Sequence, residues 1–264
     1  MKKSTFLVNI ISLVTGYILL ILLVYSCVDI EPEPEPPKQL RFSTQAEIDN
    51  IEFNFPDCKI LNWDVWIQGD DIANLHGFSQ VTQITGGLHI STGDYLVNLE
   101  GLEGLTSIGG GLYIGTNTIH PVFNSLKGLD NLTSIGTELE IGGNTKLKDL
   151  KELGNLTSVG KAIVISGNEA LKDLSGLESI TFIKAGFIGI QGNDSLTSLT
   201  GLQINNADSI RLVQIIGNPL LSTCDVQCIC SYLASPTGPV NIYDNAPGCA
   251  SREEIETACG SGMH

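Results

Sequence analysis

Residues 96–117 read LVNLEGLEGLTSIGGGLYIGTN, and residues 147–168 repeat the pattern as LKDLKELGNLTSVGKAIVISGN. In each, apolar residues first step by three and then by two, and an Asn closes the stretch. The two-step part is a strand signal, because alternation puts Leu112 and Ile114 on one face and Tyr113 on the other. Working outward, the same pair recurs as Val65 and Ile67, Leu88 and Ile90, Leu139 and Ile141, Ile163 and Ile165, Ile188 and Ile190, Val213 and Ile215, and Val240 and Ile242. The second members lie 23, 24, 27, 24, 25, 25 and 27 residues apart. Eight short strands in near-constant register mark an internal repeat.

The three-step part argues against a helix. Each step of three turns about 300° on an α-helix, so Leu96, Leu99, Leu102, Leu105 and Ile108 would spread over roughly 240° and make no stripe. Extended and turn-like sides that lift every third residue into a shared core accommodate it better. The predicted fold is a β-rich, right-handed parallel solenoid, β-helix or leucine-rich-repeat-like, of about eight coils. At about 4.8 Å per coil it would be roughly 35 to 40 Å long. Three residues after each second apolar position stand Asn117, Asn144, Asn168, Asn193, Asn218 and Asn245, with Asp70 and Gly93 in the first two units. Stacking would turn these into a structural Asn ladder. Both open ends need covers. Thr44-Gln45-Ala46-Glu47 is a capping box opening a short helix, Asp225 to Ala234 reads as another, and Ser251-Arg252-Glu253-Glu254 opens a third. The solenoid therefore runs over 40–259, with an N-terminal cap at 40–62, a Cys-containing cap at 222–259 and a tail at 260–264.

The phrase Leu99-x-x-Leu102-x-x-Leu105-Thr106-Ser107-Ile108-Gly109-Gly110-x-Leu112-x-Ile114-x-x-Asn117 resembles the leucine-rich-repeat variant of the receptor L-domain family. That family occurs in insulin- and growth-factor-receptor ectodomains and in many bacterial surface proteins. Cys230-Ser231-Tyr232-Leu233 and Asn245-Ala246-Pro247-Gly248-Cys249 are similar to the cap of bacterial members. The resemblance implies a ligand-binding or adhesion module and carries over no catalytic residue. An insertion around Thr118 to Phe123 departs from the pattern and predicts a bulged loop.

Ahead of the repeat, Lys2 and Lys3 precede an apolar run from Phe6 to Tyr25, which reads as an export signal over 1–26. An uncleaved membrane anchor is the alternative. Val24-Tyr25-Ser26-Cys27 resembles the bacterial lipobox, implying that Cys27 is acylated and becomes the N-terminus. Residues 27–39 alternate acid and proline, an extended tether with no core to bury. Its acids Asp29, Glu31, Glu33 and Glu35 resemble the surface-export signals of Gram-negative lipoproteins, which implies an outward-facing anchor on the bacterial outer membrane or cell surface.

Composition agrees with these assignments. Of 264 residues, 42% are apolar, which excludes a disordered polymer, and 29 are glycine, which excludes mainly long helices. Only 14 Lys and Arg stand against 29 Asp and Glu, for a formal charge of −15, or −17 once Lys2 and Lys3 leave with the signal. Such a chain repels phosphate backbones, so nucleic acid is excluded as a partner, and a lipid rather than a basic patch must hold the membrane.

Six cysteines lie beyond Cys27. Cys58 sits some 35 Å from the other five along the stack, beyond bridging distance to them, which predicts a buried thiol there. Among the rest, Cys224 with Cys249 and Cys230 with Cys259 is the favoured pairing, leaving Cys228 over, although spacing alone leaves the connectivity open. A zinc site at Cys224, Cys228 and Cys230 competes weakly, since they lack paired Cys-x-x-Cys spacing. No other metal or cofactor motif is present, and His76, His89, His120 and His264 are scattered.

Outward positions along the sheet read Trp66, His89, Tyr113, Glu140, Val164, Gly189, Gln214 and Asn241. The aromatic row at Trp66, His89 and Tyr113 could stack on sugar rings or anchor a protein, or could serve the sheet alone. Glu138 and Glu140 flank inward Leu139, about 7 Å apart at strand rise, a spacing that suits an inverting glycosidase pair. Their neighbours Gly115, Gly142, Val164 and Ser166 supply no pocket walls. The sequons at Asn131 and Asn155 are pieces of the repeat. The expected function is a non-catalytic, lipid-anchored surface protein that binds an extracellular protein or glycan through candidates Trp66, His89, Tyr113 and Glu140. The alternatives are a structural spacer of a surface assembly and a polysaccharide-acting enzyme using Glu138 and Glu140.

Overall fold

The computed structural model describes residues 39–54, 57–115, 123–184 and 186–261. Cys27, Asn117, His120, His264 and most of the 118–123 insertion therefore lie outside the described residues, as do the apolar leader and nearly all of the tether. Among the described residues no helix is long and apolar enough to cross a membrane.

Among the described residues the protein is β-rich, with two sheets in which every pairing is parallel. The larger has nine strands, numbered here in chain order: β1 (Gln39–Phe42), β3 (Asp64–Ile67), β5 (Leu88–Ile90), β7 (Leu112–Ile114), β9 (Glu138–Gly142), β11 (Ala162–Ser166), β13 (Gly186–Gln191), β14 (Ile210–Ile216) and β15 (Val240–Tyr243). The smaller has six two-residue strands: β2 (Ile60–Leu61), β4 (Gln83–Ile84), β6 (Ser107–Ile108), β8 (Ser134–Ile135), β10 (Ser158–Val159) and β12 (Phe182–Ile183). From β2 to β13 the chain alternates between the sheets, one strand in each per repeat. The ninth strand of the large sheet, β1, extends the expected row of eight. Its Leu40 and Phe42 are the usual inward pair, but neither a closing Asn nor a glycine corner marks it.

Register is uniform because the repeat is. Leu88 pairs with Leu112 and Ile90 with Ile114, and the ladder continues through Leu139 and Ile141 to Ile163 and Ile165. Both members of these inward pairs are at most 1% exposed. The three-step residues join the same core through short turns. Leu102 N–H donates to Leu99 O at 3.1 Å and Leu105 N–H to Leu102 O at 2.9 Å, and the next repeat copies this at Leu129 and Leu132. Bonds to the third preceding carbonyl bring every third side chain back to one side.

The Asn side chains form a ladder. The Oδ1 of Asn168 accepts from the Asn144 backbone N–H at 3.2 Å and its Nδ2 at 3.1 Å, and Asn193, Asn218 and Asn245 repeat the arrangement in turn. Asn144, Asn168, Asn193 and Asn218 are fully buried. A second ladder was not foreseen. Thr106 Oγ1 donates to Thr82 O, Thr133 Oγ1 to Thr106 O and Thr157 Oγ1 to Thr133 O, at 2.9 to 3.1 Å, beside the small sheet. The sequon Asn131 and Asn155 amides likewise donate to carbonyls of the preceding repeat, Glu103 O and Asp130 O.

Helix α1 (Gln45–Asn54) is opened by Thr44, whose Oγ1 accepts from Glu47 N–H while the Glu47 carboxylate accepts from the N–H groups of Ser43 and Thr44. Ile48 and Ile51 carry it onto the core. At the other end, α2 (Gln227–Ala234) and α3 (Arg252–Ser261) are bridged by Cys230–Cys259, and Cys224–Cys249 ties the approach to α2 to the approach to α3. With Cys224 and Cys230 so engaged, the zinc alternative loses two of its three ligands. Cys228 keeps a buried thiol. Cys58 corrects the expectation of a buried thiol: it is buried but disulfide-bonded. The separation along the stack excluded only the five C-terminal cysteines, which are accounted for without it, and says nothing about other sulfur.

Candidate functional site

The outward side chains of the large sheet converge on one feature. Parallel in-register pairing sets Arg41 beside Trp66, Trp66 beside His89, His89 beside Tyr113 and Tyr113 beside Glu140. Strand spacing then brings the rings together face to face. Trp66 and His89 have centroids 3.8 Å apart with planes 5° from parallel, and His89 and Tyr113 follow at 4.3 Å and 5°. Arg41 covers the end of the stack, its guanidinium carbon 5.0 Å from the Trp66 ring centre, held by bonds to Gln39 and Gln68. Arg41 was missed as a site residue, since β1 was not recognised as part of the sheet.

Neighbouring glycines admit the rings. A Cβ on Gly111 would lie 2.6 Å from the Tyr113 ring, so the phenol folds back along its own strand over a position that must lack a side chain. Gly87, in the same place on β5's approach, donates its N–H to Asp64 Oδ1 at 2.7 Å. The consequence for binding is specific. Ring faces that could have received a sugar are occupied by one another or by Arg41, except that among the described residues no ring lies on the Tyr113 face away from His89. The row otherwise offers edges outward, where the positive rim of the rings favours polar oxygen or a packed side chain.

Electrostatics change sign along the row. Burial lowers the pKa of His89, Asp64 opposes this, and Arg41 adds to it. Burial and the bond it donates to Glu138 push the Tyr113 phenol up to about 12. That bond, Tyr113 Oη to Glu138 Oε2, is 3.0 Å, and Lys161 Nζ stands 3.8 Å from the other oxygen. Burial works to raise the Glu138 pKa, but Thr137, Tyr113 and Lys161 outweigh it and hold the carboxyl below its usual range. Glu140 is raised, by burial and then by Glu138. Among the described residues its carboxylate makes no hydrogen bond or ion pair.

Beyond Glu140 the column continues with Val164, Gly189 and Gln214, where the Phe187 ring lies over Gly189 and Gln214 Oε1 accepts from Gln191 Nε2 at 3.0 Å. The Glu138 and Glu140 pair thus lies on an open sheet surface, with Glu138 already engaged. A separate buried carboxylate, Glu152, replaces the glycine of its repeat within a 3₁₀ turn. One oxygen accepts from Ser125 Oγ at 2.7 Å, and the other is buried with no partner among the described residues.

The chain matches no protein-family model, and no curated protein is significantly similar to it.

Proposed function

We propose that the protein is a non-catalytic recognition module, a right-handed parallel solenoid of the receptor L-domain-like type, held outward from a bacterial outer membrane by a lipid on Cys27. The observation that carries the reading is the stack of Arg41, Trp66, His89 and Tyr113, with Glu140 beside it, pre-ordered on the outward face of nine parallel strands. A rigid aromatic surface loses little conformational entropy on binding, which favours recognition of an extracellular protein or glycan. Binding of the purified protein to arrayed glycans and extracellular proteins tests it: Trp66→Ala and Tyr113→Ala are expected to abolish the signal, and unchanged binding would sink the assignment.

A structural spacer is the second reading, supported by the fact that the rings satisfy each other's faces without a ligand. Equal assembly of the surface structure by the wild type and by both alanine variants, with no ligand found, favours that reading. The lipid claim has its own test. Mass spectrometry of the mature N-terminal peptide should find a diacylglyceryl thioether on Cys27. Because Cys58 is bridged while the five C-terminal cysteines form two bridges and one thiol, an acylated Cys27 requires Cys58 to pair with a sulfur outside this chain, and recovery of Cys27 in a disulfide-linked peptide would overturn the lipid.

A further inference from the structure

The two ends of the ring stack are not alike. At the Trp66 end a cation from the chain itself, Arg41, lies over the ring, steadied by Gln39 and Gln68. At the Tyr113 end one ring face is taken by His89, and no ring of the described residues stacks on the other. The neighbour across the ladder on that side is Glu140, two residues from Glu138 on the same face of β9. Glu138 is served by Tyr113 and Lys161, whereas Glu140 has no cation or donor among the described residues. A half-buried carboxylate beside a second carboxylate and an aromatic ring is stabilised by a cation, through charge and through the ring quadrupole. The excess of acid in the chain, a formal net charge of −15 over its full length, steers the same class of partner toward it.

We infer that the outward face binds a protein segment that places an arginine side chain between Tyr113, Glu138 and Glu140, completing at this end of the stack what Arg41 does at the other. This rests on the recognition reading above and narrows its ligand to a basic protein segment. Guanidinium suits the site better than ammonium because it can lie flat on a ring while donating in its own plane to carboxylates.

The test is a titration of the ¹⁵N-labelled protein with acetyl-Gly-Arg-Gly-amide, and with the same peptide carrying neutral citrulline. The expected result is saturable shifts of β7 and β9 amides with the arginine peptide only, weakened about two- to fivefold in Glu140→Gln. Glu140→Gln removes a strained charge and should fold normally, which its unperturbed spectrum would show. Equal response to citrulline, an unchanged affinity in Glu140→Gln, or no shift at about 20 mM peptide, above the millimolar Kd of a single contact, overturns the proposal. So does a glycan probe that shifts the same amides when the arginine peptide does not. In any of these cases, loss of arrayed-ligand binding in Trp66→Ala still upholds the recognition face, and its retention overturns that reading separately.

Discussion

Replacing Asn193 by Ala tests whether the Asn ladder holds the repeats together. The Asn193 Oδ1 accepts from the Asn168 backbone N–H at 3.0 Å and from its Nδ2 at 3.2 Å, while its own Nδ2 donates to Ile165 O and Asn218 Oδ1 at 3.0 and 3.1 Å. After truncation the Asn168 side chain keeps Ile141 O and Ser166 O, but its backbone N–H is left buried with no acceptor. One orphaned buried donor costs about 1–3 kcal/mol, and the two lost donor bonds add roughly 0.5–1.5 kcal/mol each, for a total of about 2–6 kcal/mol. For a chain of this size that is a drop in Tm of roughly 4–24 °C. Asn245 is the control. It ends the ladder and is only half-buried, so water can replace its side chain and Asn245→Ala should cost about 1 kcal/mol. Urea unfolding followed by far-UV circular dichroism, with m unchanged, measures both. A loss below about 1 kcal/mol for Asn193→Ala, or one no larger than for Asn245→Ala, would refute the ladder as a stabilising element.

Three further outcomes are expected. Gly176 has φ +107°, and a Cβ there would sit 2.1 Å from Leu150 O of the preceding repeat, so Gly176→Ala should lower Tm by at least about 6 °C, whereas Gly260→Ala, with nothing within 4 Å, should not. His89, its pKa lowered by burial, favours the neutral ring in the folded state while the unfolded chain protonates near 6.5. Its stabilisation is therefore present above that pH and lost as pH falls through it toward the folded value, so thermal scans from pH 7.5 to 5.5 should show a decline that His89→Phe reduces; an identical decline in the variant excludes His89 as the cause. Burial pushes the Cys228 thiol up to about 11, so iodoacetamide at pH 8 should label it only after unfolding, and peptide mapping of native protein that finds Cys228 alkylated contradicts the buried site.

Much of the architecture was legible because repetition amplifies weak local signals. One Leu-x-Ile pair decides nothing, but eight at a spacing near 25 residues locate the large sheet, its inward face and the Asn column. The capping box at Thr44 was readable for a different reason, since its partners are three residues apart in sequence. The six two-residue strands were not readable, since they carry too few residues to show a period, and β1 was not, since neither a closing Asn nor a glycine corner marks its Leu40 and Phe42. The candidate site was legible only as a row of positions. Trp66, His89 and Tyr113 could be put on adjacent strands, but whether ring faces point at a ligand or at each other depends on strand spacing and on room above Gly87 and Gly111, and Arg41 joins the row only through β1.

What the chain determined by itself is the inward pattern: apolar pairs, three-step leucines and Asn at a constant offset dictate which side chains are buried, because burial follows residue type and period. What the tertiary structure decided is how the outward residues use one another. Solvent-facing side chains carry no periodic constraint, so only stacking in register could join a ring from one repeat to the next, engage Glu138 and leave Glu140 without a partner among the described residues.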